Sequence, residues 1–246
     1  MNLGLEGRTA IVCGASQGMG LAIADALVAE GANVAMFARR RDELDREAAR
    51  LGALAVAGDL TAPDDLTALV ERTLATFGGI DILVLNGGGP PAGTAAAMTP
   101  EQLGAAIELL LLPHVRLVGL CLDQLRSSGH GRIVAIQSTS VKEPLGNLAL
   151  SNAIRPGVVG WLRTLAREVG PDGVTVNTIA PGRIDTHRLR SLYPNGLTPS
   201  DLEPISLRRA GTAAEIADVV CFLASDRAAY VTGTVLAVDG GLSRGA

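Results

Sequence analysis

Three glycines stand close together near the start of the chain, in Gly14-Ala15-Ser16-Gln17-Gly18-Met19-Gly20, between a short apolar run and an apolar helical pattern over Leu21–Ala29. Glycine lets the backbone turn tightly and approach a ligand, and the free N–H groups that open a helix point at an anion. After a first strand and before a helix, this arrangement predicts a cradle for a dinucleotide pyrophosphate, formed by Gly14, Ser16, Gln17, Gly18, Met19 and Gly20. An NAD site usually adds an acid about 20 residues further on, which bonds the ribose 2′-hydroxyl. The second apolar run here ends instead Phe37-Ala38-Arg39-Arg40-Arg41. Arginine makes charge-assisted bonds to a 2′-phosphate. Arg39, and after it Arg40, are therefore expected to select NADP(H) over NAD(H). The alternative is a set of solvated charges opening the next helix, although cations oppose the dipole there.

Those groups need a scaffold, and the pattern supplies one. Short β-branched runs at residues 8–13, 33–38, 54–57, 82–85, 132–137, 175–180 and 234–238 alternate with helical patterns at about 18–30, 41–51, 63–77, 101–127, 151–168 and 213–225. Such alternation implies right-handed βαβ crossovers and a parallel sheet covered on both faces, a doubly wound α/β fold. Thr99 with Gln102 and Thr212 with Glu215 match the capping-box spacing at helix starts. No interdomain linker or internal repeat is visible, so residues 1–246 are expected to form a single domain. The one long irregular stretch, 182–211, is expected to be a lid or substrate-binding loop within it.

Composition narrows the function classes. Of 246 residues, 48% are hydrophobic and 19% charged, enough for a core and too apolar for disorder. Twenty-one basic against 25 acidic residues give a net charge of −4, which argues against a nucleic-acid or membrane-surface binder. Aromatic residues, at 2%, are too few for base-stacking platforms. The cysteines Cys13, Cys121 and Cys221 are far apart and read as buried thiols in a reducing compartment, with no metal-ligand cluster. Residues 105–122 are interrupted by Glu108, Pro113, His114 and Arg116 and are expected to fall short of a membrane span. No signal peptide is visible at the N-terminus, so a cytoplasmic location is expected.

Further motifs give the sequence a resemblance. The turn Gly14-xxx-Gly18-x-Gly20, Asp59-Leu60, Asn86-Gly87-Gly88, Gly131-Arg-Ile-Val with Ser138, Asn177, Pro181-Gly182-Arg-Ile184-Asp-Thr186 and Val238-Asp-Gly-Gly241 follow one another in order. In these the chain resembles the short-chain dehydrogenase/reductase superfamily over essentially its whole length, with the β-ketoacyl-carrier-protein reductases the nearest type. The resemblance implies a seven-stranded Rossmann sheet, often a homotetramer, and a small-molecule carbonyl substrate. It also implies Asp59 and Leu60 at the adenine, Asn86, Gly87 and Gly88 along the cofactor, and Pro181, Gly182, Ile184 and Thr186 at the nicotinamide end.

The family's Asn–Ser–Tyr–Lys tetrad is mostly substituted. Counted from Ser138, the Tyr-xxx-Lys motif falls on Ser151-Asn-Ala-Ile-Arg155, and the asparagine position falls on Leu110. A serine hydroxyl is a far weaker acid than a phenol, whose pKa of ~10 an adjacent cation can lower. Arginine can hold the ribose yet cannot relay a proton as lysine can. Ser151 and Arg155, four apart, would share a helix face, and Pro156-Gly157 either kinks that helix or begins it. Ser138, Ser151 and Arg155 are the expected active-site residues, with Arg155 also toward the cofactor. Lys142 and Tyr193, and less so His187, are candidates for the lost proton donor, each with a plainer surface or packing alternative; His114 and His130 read as structural or surface residues. The leading expectation is an NADP(H)-dependent oxidoreductase with a non-standard site. A lyase, isomerase or dehydratase on the same fold, or a catalytically inactive dinucleotide-binding partner, remain alternatives.

Overall fold

The computed structural model describes residues 2–244. In chain order its elements are β1 (Thr9–Cys13), α1 (Gly18–Ala29), β2 (Asn33–Ala38), α2 (Arg41–Leu51), β3 (Leu54–Ala57), α3 (Pro63–Phe77), β4 (Ile82–Leu85), α4 (Pro100–Leu110), α5 (Leu112–Ser127), β5 (Arg132–Ile136), α6 (Ala149–Val169), β6 (Thr175–Pro181), α7 (His187–Leu192), α8 (Pro199–Leu202), α9 (Ala213–Ala224) and β7 (Val235–Val238). The strands form one seven-stranded sheet in the order β3-β2-β1-β4-β5-β6-β7, with every neighbouring pair parallel. The chain winds outward from β1 to β3, then returns to place β4 on the other side of β1. Sheets of this topology take their ligands in the crevice at that reversal, beyond the carboxyl ends of β1 and β4.

Alternation along each strand divides the core in two. Val12, Met36, Val84 and Val134 pack toward α1 and α9 with Ile23, Leu27, Ile216 and Val220. Ile11, Phe37, Leu83 and Ile133 pack on the other face against α3, α5 and α6 with Leu66, Leu117 and Leu162. Burying each such side chain contributes roughly 1.5–3 kcal/mol, which fixes the strand register and so the positions of the strand ends. All three cysteines are buried and free. The Thr99–Gln102 and Thr212–Glu215 capping boxes form as the sequence predicts.

Four expectations change. The pattern over 101–127 is two helices, because the backbone departs from helical geometry at Leu111 (φ −111°, ψ −58°) and Pro113 lacks the N–H that would continue the ladder. The same stretch, Pro100–Ser127, is long and apolar enough by length and composition to cross a membrane, contrary to the expectation from its interruptions. Here α4 packs on α6, and α5 packs on α3 and β4, so its apolar side covers the sheet. Helix α6 neither kinks into two elements nor begins at Pro156; it runs through that residue from Ala149. Asn152 anchors its first turn, accepting from Leu145 N at 3.0 Å and donating to Leu145 O at 2.8 Å. Finally, residues 182–211 contain α7 and α8, and Thr198 with Asp201 makes a further capping box at the start of α8.

Candidate active site

The glycine turn lies at the crevice, where only glycine fits. A Cβ at Gly20 would stand 2.2 Å from Gly14 O, and Gly14 itself has φ +63°. Asn86 Nδ2 donates to Cys13 O at 3.0 Å, tying the end of β4 to the end of β1 and fixing the turn. The side chain of Asn86 is thus engaged in the scaffold. Ala15 N donates to Phe37 O at 3.1 Å, which holds the turn on its β2 side. Gln17, the N-cap of α1, makes no side-chain capping bond, and the first turn of that helix carries no acid. Its N–H groups therefore remain open to an anion. Buried Ser16 lies within the turn, and Met19 packs against the neighbouring core.

At the tip of β2, Arg39 Nη1 lies 3.9 Å from Asp59 Oδ2 with three-quarters of its side chain exposed. Arg40 is held at 2.8 Å by Glu43. Of the two expected phosphate ligands, Arg39 is the less engaged. Asp59 accepts from Thr61 N and Oγ1, each at 2.9 Å, and those bonds, the backbone one foremost, hold its pKa below the usual carboxylate value. Its own N–H donates to Asp65 Oδ2 at 2.7 Å. Leu60 and Gly87 face each other, with a Cβ on Gly87 reaching 3.4 Å from Leu60 Cδ1.

A second group of residues gathers beyond β5. Ser138 is half-buried and its Oγ accepts from Ser140 N at 3.2 Å, which leaves its hydroxyl proton free to be donated. Ser151 Oγ lies 3.1 Å from Ser140 Oγ and accepts from Arg155 Nε at 3.1 Å. Arg155 also donates to Gln137 Oε1 at 3.2 Å and to Gly88 O at 3.4 Å. Ser151 and Arg155 do share one face of α6, and both are buried. Burial, then the charge of Arg188, pushes the Arg155 guanidinium down to about 10, so it stays cationic at neutral pH. Gln137 Nε2 is buried with no hydrogen-bond partner among the described residues. At the family's asparagine position, Leu110 is buried apolar packing.

His114, on α5, is buried rather than at the surface, and its Nδ1 has no hydrogen-bond partner among the described residues. Burial, then the Arg155 charge, holds its pKa down to about 4 from 6.5. Between those values the unfolded chain binds the proton that the folded chain refuses. The group's contribution is complete above pH 6.5 and lost as pH falls through 4. Urea unfolding of the native chain is expected to show about 3 kcal/mol less stability at pH 4 than a His114→Gln variant normalised at pH 7. Parallel pH profiles would contradict the depressed pKa. His130 is also buried, with Nε2 2.9 Å from Ala224 O.

The third wall is residues 182–193. Gly182 is confined, since a Cβ there would lie 2.7 Å from Asp239 Cα, and Pro181 ends β6. Ile184 is buried and bridges to Gly211. Thr186 caps α7 and turns its methyl group to the glycine turn, 3.6 Å from where a Gly18 Cβ would be. His187 is exposed at the start of α7. Tyr193 is half-buried beneath Arg183, whose Cζ stands 5.5 Å from the ring centroid. Lys142 closes the single turn after Ser138, half-buried, and its ammonium makes no ion pair among the described residues. It does not pair with neighbouring Glu143.

Ser140, Gln137, His114 and Asp65 are the site residues that sequence reasoning missed. Ser140 carried a signal, lying two residues after Ser138 in a Ser-Thr-Ser run. Nothing in the spacing of the others marks them.

The sequence family described as enoyl-(acyl carrier protein) reductase matches residues 14–243. Among curated proteins, 3-oxoacyl-[acyl-carrier-protein] reductase FabG of Escherichia coli (strain K12) is 37% identical over 244 residues, 98% of this chain and 99% of that protein. Nodulation protein G of Rhizobium sp. (strain N33) is 36% identical over 246 residues, 97% and 98% of the two chains. Among solved structures, L-sorbose reductase from Gluconobacter frateurii complexed with NADPH and L-sorbose superposes with a TM-score of 0.94 at 32% identity, over 100% of both chains. An NADPH-bound short chain oxidoreductase from Pseudomonas aeruginosa PAO1, described as containing an atypical catalytic center, superposes with a TM-score of 0.91 at 32% identity over 97% of this chain and 98% of that one.

Proposed function

The chain belongs to the short-chain dehydrogenase/reductase family, and from that premise we propose that it is an NADP(H)-dependent oxidoreductase that reduces a small carbonyl compound without the family's tyrosine. The observation that carries this reading is the hydrogen-bonded line from Arg155 through Ser151 to Ser140, with Ser138 beside it, at the end of β5. The dinucleotide fits the residues present: the turn admits no Cβ at Gly20, the start of α1 has no competing side-chain cap, and Arg39 stands 3.9 Å from its acid. Gly14 and residues 16–20 hold the pyrophosphate, and Arg39 the 2′-phosphate, with Arg40 as its neighbour. Asp59 and Leu60 border the adenine, Asn86, Gly87 and Gly88 run along the cofactor, and Pro181, Gly182, Ile184 and Thr186 meet its nicotinamide end.

When bound, the nicotinamide supplies the hydride. Ser138 donates its free hydroxyl proton as a hydrogen bond to the substrate carbonyl oxygen and polarises it. Ser151, tied between Arg155 and Ser140, orders the wall behind it. Arg155 binds the nicotinamide ribose and places a fixed positive charge next to the reacting centre. The proton that completes the alcohol comes from solvent or from Lys142 or Tyr193, and residues 182–211 act as the lid that governs water access. The P. aeruginosa relative with an atypical catalytic center supports a working site outside the usual tetrad. The family resemblance supports a homotetramer, which light scattering on the purified protein checks, and the buried free thiols fit a reducing, cytoplasmic location.

The test is titration with NADPH and NADH, followed by nicotinamide fluorescence. NADPH is expected to bind more tightly. Arg39→Ala is expected to weaken NADPH binding about 10–100-fold, the worth of lost charge-assisted bonds, and to leave NADH unchanged. Equal losses for both nucleotides would remove Arg39 from the 2′-phosphate. A protein that binds neither would sink the oxidoreductase reading.

A further inference from the structure

Two guanidinium groups meet along the segment that follows β4, and no carboxylate joins either of them among the described residues. Arg155 Nη2 donates to Gly88 O at 3.4 Å. Just beyond, Arg188 Nη2 donates to Pro90 O at 2.8 Å and lies over Gly89, where a Cβ would come within 3.2 Å of it. The two are close enough for the charge of Arg188 to act on Arg155. Arg183, on the same wall, stacks over Tyr193 and also has no ion pair among the described residues, but Arg190 and Arg209 are matched. Arg190 takes both oxygens of Asp185 at 3.0 and 3.1 Å, so the acid nearest Arg188 in sequence is already occupied, and Arg209 pairs with Glu215. Like charges brought together without a counter-ion are costly, and a guanidinium with N–H groups to spare is suited to a carboxylate or phosphate.

The position of Arg188 decides between ligands. The pyrophosphate cradle is at Gly18–Gly20, across from Thr186. Arg188 reaches past it to Gly89 and Pro90, and that segment continues to Gly93, which pairs with Asn147 and Leu148 immediately before α6. Arg188 is thus set toward the Ser138–Ser151–Arg155 side of the crevice. We propose that Arg188 binds an anionic head group on the carbonyl substrate, which makes the substrate class oxo acids or phosphorylated ketones and not neutral ketones. The proposal rests on the reductase reading above and adds the substrate's charge to it.

Calorimetric titration of the NADP⁺-loaded protein tests it, with acetoacetate, methyl acetoacetate and dihydroxyacetone phosphate as probes. An anion is expected to bind at least about tenfold more tightly than the neutral ester, the worth of one charge-assisted contact. In Arg188→Ala the anion and the ester are expected to bind alike, Arg188→Lys to recover part of the preference, and nucleotide affinity to stay at the native value in both. Tighter binding of acetoacetate identifies the carboxylate source; tighter binding of dihydroxyacetone phosphate identifies the phosphate source. Equal binding of ester and anions by the native chain overturns the proposal while leaving nucleotide binding, and so the reductase reading, intact. Loss of NADP⁺ affinity in Arg188→Ala also overturns it, by placing the residue on the cofactor's phosphates. A native chain that binds no nucleotide takes both readings down.

Discussion

A Ser151→Tyr, Arg155→Lys double variant is expected to reduce acetoacetate about 10²–10⁴ times faster than the native chain at neutral pH, the range a positioned general acid contributes. Both positions lie on one face of α6, and their native side chains already touch through Arg155 Nε and Ser151 Oγ at 3.1 Å. The backbone therefore presents a tyrosine and a lysine to each other at the spacing the family uses. A lysine ammonium beside a phenol lowers its pKa from ~10 toward the working range, whereas a serine hydroxyl gains no comparable acidity. The phenol displaces the Ser151–Ser140 contact, so Ser140→Ala in the same background makes room if expression falls. NADPH oxidation measures the rate, and NADPH fluorescence confirms that the variant binds. An unchanged or lower rate with intact binding would mean that the native chain does not lack an effective proton donor, and would overturn the expected gain.

Gly20→Ala is expected to weaken NADPH binding by more than about 100-fold and to destabilise the fold by about 1–3 kcal/mol, the usual cost of overpacking. The added carbon would lie 2.2 Å from Gly14 O and 2.8 Å from Asn86 Nδ2. Neither is the loose end of a flexible chain: one is backbone, and the other is held by Cys13 O. Relief requires the glycine turn to open and the β1–β4 tie to break, which removes the N–H groups from their converging directions. Gly104→Ala is the comparison, because a Cβ there meets nothing within 4 Å and α4 gains from losing a glycine. Calorimetric melting and NADPH titration of the pair check both halves. A Gly20→Ala protein with native nucleotide affinity would move the dinucleotide away from this turn.

The sheet was legible because burial on both faces writes itself into the chain. Ile82–Leu85 is apolar throughout, and its alternate residues enter different cores. The capping boxes at Thr99 and Thr212 were legible for a similar reason, since each is a local contact between residues three apart. The break at Leu111 was harder, because Leu110 and Leu111 continue the apolar pattern that a single helix would show. Of the candidate site, the glycine turn and the arginines that follow β2 could be proposed directly from the sequence, whereas Ser151 and Arg155 became candidates only through their register with Ser138. Gln137 could not be read at all, and His114 was read only as a structural or surface residue: both matter through contact or proximity to Arg155, and those relations exist only once β5, α5 and α6 have packed. Arg188 was one of several arginines in its segment until the structure placed its guanidinium on Pro90 O, near Arg155.

The segment between β6 and α9 closes on itself. Ile184 and Gly211 pair at its base, Asp185 N reaching Gly211 O at 2.8 Å and Gly211 N reaching Arg183 O at 2.9 Å. Leu207 N and Ser206 Oγ tie the returning strand of the loop to Gly240 and Gly241, each at 3.0 Å. Inside that clasp, Arg188 reaches Pro90 O and Thr186 faces the glycine turn, while the two tied ends keep changes in the segment's length from being transmitted to β6, β7 or α9. The molecule is in this sense modular: one part of the chain is bound to the geometry of the sheet, while a cassette of fewer than about 30 residues can be exchanged between its tied ends to re-specify what enters the crevice.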